Sequence, residues 1–236
     1  MSSPGPSKPV PVIALDGRSG SGKSTLARLL AERLGWSYLD SGAWYRALTW
    51  AALEHGADPA SDTALLGLLS RIDIHSRADG AVVVDGRELR EEIRSPRIDA
   101  AVSDVADHPA VREALTERMR GLRARPGVAG VVADGRDAGA VIFPDADLKV
   151  FIDTEFDVRV ARRFRQHLES HSESELAAVR AALEERDRRD AARGESAPRR
   201  LDGGQVVENT HISVEEAIRR LLDLAAPLLA SSGAQS

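Results

Sequence analysis

The sequence predicts an α/β fold in which a central parallel sheet is flanked by helices and a smaller lobe interrupts the alternation. Three observations carry this reading. Apolar runs at Val10–Leu15, Val131–Ala133 and Leu148–Ile152 read as buried parallel strands. Helical patterns separate them, as crossovers between parallel strands require. From Ile72 onward the pattern changes to a hairpin and two amphipathic helices before the strands resume.

The first strand runs straight into Gly17-Arg18-Ser19-Gly20-Ser21-Gly22-Lys23-Ser24, with a helix behind it. This is the G-x-x-x-x-G-K-[ST] pattern in the strand–loop–helix context that gives it meaning. Glycines let successive backbone N–H groups curl inward on a triphosphate, and the helix N-terminus adds a positive dipole. Gly17 through Thr25 are therefore the candidate ATP-binding segment. Lys23 would reach the β- and γ-phosphates, and the Ser24 hydroxyl would complete a Mg²⁺ shell. Asp16 and Asp134 are further candidates, holding the metal through water, though turn roles suit both equally well. The glycine order G-x-x-G-x-G disfavours a dinucleotide-binding turn.

The remaining elements follow in order. Thr25–Leu34 is a helix stopped by Gly35, Ser37–Leu39 a short strand, and Gly42–Glu54 a second helix ending near Gly56. Helical leucines run over Ala64–Leu69. Ile72–His75 and Val82–Val84 flank the turn Ala78-Asp79-Gly80 as an antiparallel hairpin. Helices are expected at 97–106 and 109–124. From Glu155 to Arg193 the chain is helical and highly charged, with a break near Ser170-His171-Ser172. Gln205–Val207 is a last strand, and Ser213-Val214-Glu215-Glu216 reads as a capping box opening the terminal helix.

Composition narrows the function classes. At 236 residues the chain can bury a large core with an inserted lobe. A net charge of −5 argues against a broad nucleic-acid surface. No run is long enough to span a bilayer, and residues 1–9 read as a flexible tail with no apolar signal core, as do residues 231–236. With no cysteine there is no disulfide framework. A cytoplasmic protein is expected, and a monomer, because no apolar helix face is in excess. Lysine occurs only at Lys8, Lys23 and Lys149 among many arginines, so a single arginine says little whereas Lys23 stands out.

A phosphate loop alone leaves GTPases, motor ATPases and small-molecule kinases open. Asp40-Ser41-Gly42-Ala43-Trp44-Tyr45-Arg46 and Ala133-Asp134-Gly135-Arg136-Asp137 each follow a strand, at the sheet edge where α/β proteins bind ligands. Arg186, Asp190 and Arg193 recur at helical spacing, which by periodicity alone favours a solvated face.

Taken together, these segments closely resemble the bacterial cytidylate kinase family, over nearly the whole chain. The matching stretches are the phosphate loop, Asp40–Arg46, Ile93-Arg94-Ser95 to Arg112-Glu113, Ala133–Gly139 with Phe143-Pro144-Asp145-Ala146, and Glu185–Arg193. The resemblance implies a P-loop kinase with an inserted nucleoside-monophosphate-binding lobe and a helical lid. Residues 10–230 would form one kinase domain: core about 10–55, 127–155 and 203–230, acceptor region and insert about 40–126, lid about 156–200. It implies transfer of the γ-phosphate of ATP to CMP or dCMP with Mg²⁺. Ser41, Arg46, Arg136, Arg186, Asp190 and Arg193 look like monophosphate and sugar contacts, and Ser103, Arg112 and Asp137 like cytosine contacts. Lys23, Arg136, Arg186 and Arg193 look catalytic. Cytosine presents a donor at its amine and acceptors at N3 and O2, which suit a carboxylate beside an arginine and a serine.

The chain departs from the family pattern at Arg18, usually proline, at Ser24, often glycine, and across 199–210, a segment expected near the nucleotide base. Two alternatives remain. One is a kinase for UMP or another small acceptor. The other is a nucleotide-dependent switch, although the guanine-reading Asn-Lys-x-Asp is absent.

Overall fold

A computed structural model describes residues 10–167 and 172–233. Five parallel strands form the central sheet: β1 (Val12–Gly17), β2 (Ser37–Asp40), β6 (Val131–Gly135), β7 (Leu148–Asp153) and β8 (Gln205–Glu208), in the order β2-β6-β1-β7-β8. Side chains of β1 alternate between two cores, as the two-residue period of a strand dictates. Val12 and Ala14 face α2 (Ser41–Glu54) and the insert, while Ile13 and Leu15 face α1 (Lys23–Leu34) and α8 (Val214–Gly233). The parallel register sets Asp40 opposite Asp134 and brings the end of β1 level with both.

The insert follows α3 (Asp62–Leu69). Strands β3 (Ile74–Ser76), β4 (Val82–Val84) and β5 (Arg87–Leu89) make a separate antiparallel sheet. Helices α4 (Pro96–Asp107) and α5 (Pro109–Arg120) then lead back to β6, each opened by a proline in its first turn. The hairpin turn of the insert rests on the central sheet, with Tyr38 N donating to Ala78 O at 2.9 Å. Trp44 Nε1 donates to Ser76 Oγ at 2.6 Å, a second buried tie.

The sequence expectations for strands and helices hold with small shifts. α2 begins at Ser41 because Asp40 caps it, accepting from Ala43 N at 2.9 Å. Strand β5 is unexpected, since Arg-Glu-Leu has no strand signature and forms one only by pairing with β4. A single π-type turn at Ala138–Ile142 is likewise unexpected. α6 (Phe156–His167) and α7 (Glu173–Ala191) form the charged helical stretch. Of the expected break, Ser170 and His171 lie outside the described residues. Ser172 caps α7 in a capping box with Glu175. At α8, Ser213 Oγ accepts from Glu216 N at 3.1 Å, while the Glu216 carboxylate accepts from Arg219 and Arg220. α8 runs to Gly233, past the boundary expected at 230, with no helix breaker after Pro227 until that glycine. Residues 1–9 and 234–236 lie outside the described residues. Among the described residues no helix is long and apolar enough to cross a membrane.

Gly80 makes the docking of the hairpin possible. Its φ of +84° suits glycine, and a Cβ there would sit 2.2 Å from Tyr38 Cδ1. Gly80→Ala combines backbone strain with overpacking and is expected to cost about 2–4 kcal/mol in urea unfolding. A variant as stable as the parent would mean that the hairpin does not rest on Tyr38.

Candidate active site

The phosphate loop joins β1 to α1 at the C-terminal edge of the sheet. Gly22 caps α1 at φ +84°, a conformation that turns the loop's N–H groups inward. Behind the loop, a polar brace converges on Ser21 O. Asn209 Nδ2 donates to it at 2.8 Å, Arg162 Nη1 at 3.0 Å and Thr154 Oγ1 at 3.3 Å. Arg159, buried on α6, donates to Ser19 O at 3.0 Å and holds Asp187 of α7 through both guanidinium arms, at 3.2 and 2.7 Å. The loop is thus held by α6, α7 and the segment after β8.

A cavity of about 740 Å³ opens over the loop and extends to the insert. Ser19, Gly20, Gly22, Lys23, Ser24 and Thr25 line it. Of the other residues expected to hold ATP, Gly17 ends β1, the Arg18 side chain is exposed, and the Ser21 side chain is buried beneath the loop. All the residues expected at the acceptor line the same cavity: Ser41 and Arg46 on α2, Ser103 on α4, Arg112 on α5, Arg136 and Asp137 after β6, and Arg186, Asp190 and Arg193 at the end of α7.

Four arginines of this cavity are matched by carboxylates. Arg112 Nη2 meets Asp137 Oδ2 at 2.5 Å, and Arg136 Nε meets Asp190 Oδ2 at 2.8 Å. Arg46 Nη2 meets Asp99 Oδ1 at 2.5 Å, and Arg193 reaches Asp107 at 2.8 Å as well as Asp190. Burial works against the Asp190 charge, yet Arg136 and Arg193 hold its carboxyl below its ordinary range. Arg186 differs. Its Nε is buried with no hydrogen-bond partner among the described residues, and burial together with Arg136 brings the guanidinium down to about 9. A buried cation in this state is a ready receiver for an anion.

At the loop end, burial and then Arg136 lower the Lys23 ammonium. Burial and the facing Asp40 raise the Asp134 carboxyl. Asp134 lies beside the exposed Ser24 and within hydrogen-bonding reach of it. Oxygen donors with room for waters and phosphate oxygens suit Mg²⁺, which seldom uses an all-protein cage. Ser24 and Asp134 therefore fit the ion. Asp16 requires correction. Both its oxygens accept backbone N–H groups of the π-type turn, from Ala138 at 2.6 Å and Gly139 at 2.9 Å, and it does not line the cavity. It is a buried structural brace.

Several residues at the cavity were not singled out by sequence. Tyr38, Asp99, Arg162 and Arg163 line it or pair with residues that do. Arg159, Arg162 and Arg163 sit at i, i+3 and i+4 on α6, a spacing that marks one face and was submerged in a generally charged helix. The divergent 199–210 segment divides. Arg199, Leu201 and Gly204 lie away from the main cavity, whereas Asn209 lines it and braces the loop. Ile212, Ser213, Val214 and Ala217 line the cavity beyond it.

The fold and this cavity define a phosphate-loop enzyme of the nucleoside monophosphate kinase class. The cytidylate kinase family model matches residues 13–226. The chain is 41% identical over 220 residues to the cytidylate kinase of Stutzerimonas stutzeri (strain A1501), covering 91% of this chain and 95% of that one. It is 40% identical over 218 residues to that of Pseudomonas aeruginosa (strain UCBPP-PA14), covering 90% and 94%. Identity to that of Aeromonas salmonicida (strain A449) is 38% over 227 residues, covering 95% and 97%. The chain belongs to the cytidylate kinase family.

Asp16 supplies a pH test of its structural role. Burial pushes its carboxyl up to about 6, so folding favours the protonated form. That contribution is full in acid, below the usual carboxylate range, and is lost as pH rises through about 6. Asp16→Asn, which carries no charge, is expected to gain on the parent by up to about 3 kcal/mol between about pH 4 and about pH 7.5. Urea unfolding of both proteins across that range measures it, and a gap independent of pH would contradict it.

Proposed function

We propose that the protein transfers the γ-phosphate of ATP to CMP or dCMP, acting as a cytoplasmic monomer. One observation carries the reading: a single cavity joins the phosphate loop to Ser103, Arg112 and Asp137 through a set of arginines. The proposed division is a core around the parallel sheet, an acceptor region and insert over about 40–126, and a lid over about 156–200.

In this reading the loop from Gly17 to Thr25 binds the ATP phosphates, and Lys23 neutralises charge on the group in transit. Ser41, Arg46, Arg136, Arg186, Asp190 and Arg193 hold the acceptor's phosphate and sugar. Arg136, Arg186 and Arg193 also stabilise charge at the transferring phosphoryl group. Mg²⁺, held by Ser24 and through water by Asp134, would neutralise charge on the donor phosphates. Phosphoryl transfer between two polyanions needs charge cancellation and alignment more than covalent chemistry. The acceptor oxygen belongs to a phosphate already ionised at neutral pH, so no general base is required. Closure of the lid expels water and limits ATP hydrolysis.

Selectivity for cytosine rests on Asp137 as acceptor for the exocyclic amine, with Arg112 and Ser103 as donors to N3 and O2. Uracil sets an acceptor against the carboxylate. A panel of nucleoside monophosphates, with ADP release as the readout, is expected to show CMP and dCMP far ahead of UMP. Equal turnover of CMP and UMP by the parent would remove the selectivity argument. Asp137→Asn should lose CMP turnover while ATP binding is retained. Lys23→Ala should lose at least about a hundredfold in turnover with its fold intact by circular dichroism.

A further inference from the structure

Tyr38 lines this cavity, and the proposed chemistry gives it no role. It is buried on β2, its hydroxyl donates to Asp134 Oδ2 at 3.3 Å, and it lines the cavity together with Ser24. A phenylalanine would fill the same space with no polar atom to satisfy. At 3.3 Å the bond is long for O–H···O, so it adds little to stability. What it adds is direction: it engages Oδ2 of the buried Asp134 carboxylate and so limits rotation of that group.

The same side chain carries the insert. Its ring lies against Gly80, where a Cβ would come within 2.2 Å, and its backbone N donates to Ala78 O at 2.9 Å. Asp79, Gly80 and Ala81 line the cavity from that hairpin. One residue thus touches the inserted lobe with its ring and backbone, and Asp134 with its hydroxyl.

We propose that Tyr38 is a positioning residue for the cation end of the site, holding Asp134 and Ser24 in register with each other and with the inserted lobe. The proposal rests on the reading of that end as the Mg²⁺ and ATP site. Groups that orient metal ligands from outside the coordination shell affect metal affinity strongly, because a ligand free to rotate is ordered only at a cost in binding.

The test uses Tyr38→Phe, which keeps the ring on Gly80, and Tyr38→Leu, which removes ring and hydroxyl. Two measurements apply. One is the Mg²⁺ concentration giving half-maximal CMP phosphorylation. The other is the gain in ATP affinity on adding Mg²⁺, by calorimetry without acceptor. Tyr38→Phe is expected to raise the half-maximal Mg²⁺ about tenfold and to reduce the calorimetric gain to match, with its urea midpoint near that of the parent. An unchanged Mg²⁺ dependence in Tyr38→Phe overturns the proposal. So does a shift confined to Tyr38→Leu, which would assign the effect to ring packing. A parent that fails to phosphorylate CMP would defeat the acceptor assignment alone, since the calorimetric arm needs only ATP and Mg²⁺.

Discussion

The arrangement depends on holding many cations close together. Arg46, Arg112, Arg136 and Arg193 all line one cavity, where mutual repulsion in a partly desolvated space is large. Each is held by a carboxylate from another part of the chain: Asp99 of α4, Asp137 after β6, Asp190 of α7 and Asp107 at the end of α4. Such pairs are weak evidence for net stability, because desolvation offsets much of the attraction. Their consequence is geometric. They draw α2, α4, α5, α7 and the end of β6 around one space, and they fix the guanidinium planes before any ligand arrives. Among the described residues Arg186 has no such carboxylate partner, and its guanidinium is lowered first by burial and then by the neighbouring Arg136.

The phosphate loop is held by the same logic with opposite sign. Its carbonyls at Ser19 and Ser21 are satisfied by Arg159, Arg162, Asn209 and Thr154. A loop whose N–H groups turn inward must turn carbonyls outward, and buried carbonyls need donors. Because those donors sit after β7, on α6 and after β8, the loop's shape depends on elements distant in sequence. Arg159 extends this dependence to α7 through Asp187.

Features set by neighbours in sequence were legible, and features set by neighbours in space were not. The strand–loop–helix around Gly17–Ser24, the hairpin at Ala78-Asp79-Gly80 and the paired helices of the insert all follow from local pattern. The run from Arg186 to Arg193 shows where pattern stops. Read as a charged helix it favours a solvated face, and Arg188, paired with Glu185 and well exposed, occupies such a face. Arg186, Asp190 and Arg193 lie three and four residues apart on another face and line the cavity. Motif order separated the two sets where periodicity alone could not. Asp16 was left open between a metal role and a turn role because its partners, the N–H groups of Ala138 and Gly139, belong to a turn with no local signature. Tyr38 was missed because a strand aromatic ordinarily reports a core, and this one reaches past the core to Asp134.

The acceptor end also bears on selectivity. Arg112 and Asp137 satisfy each other at 2.5 Å, a donor against an acceptor. On the proposed reading, an entering base must replace that bond on both sides at once, or it leaves a buried charge unpaired. The base edge must therefore present a donor to Asp137 beside an acceptor to Arg112. Cytosine offers that order in its amine and N3. Uracil offers the reverse, O4 as acceptor and N3–H as donor, and would oppose like to like at both positions. Discrimination then comes chiefly from the penalty on the wrong base, which the self-paired residues set before either ligand binds.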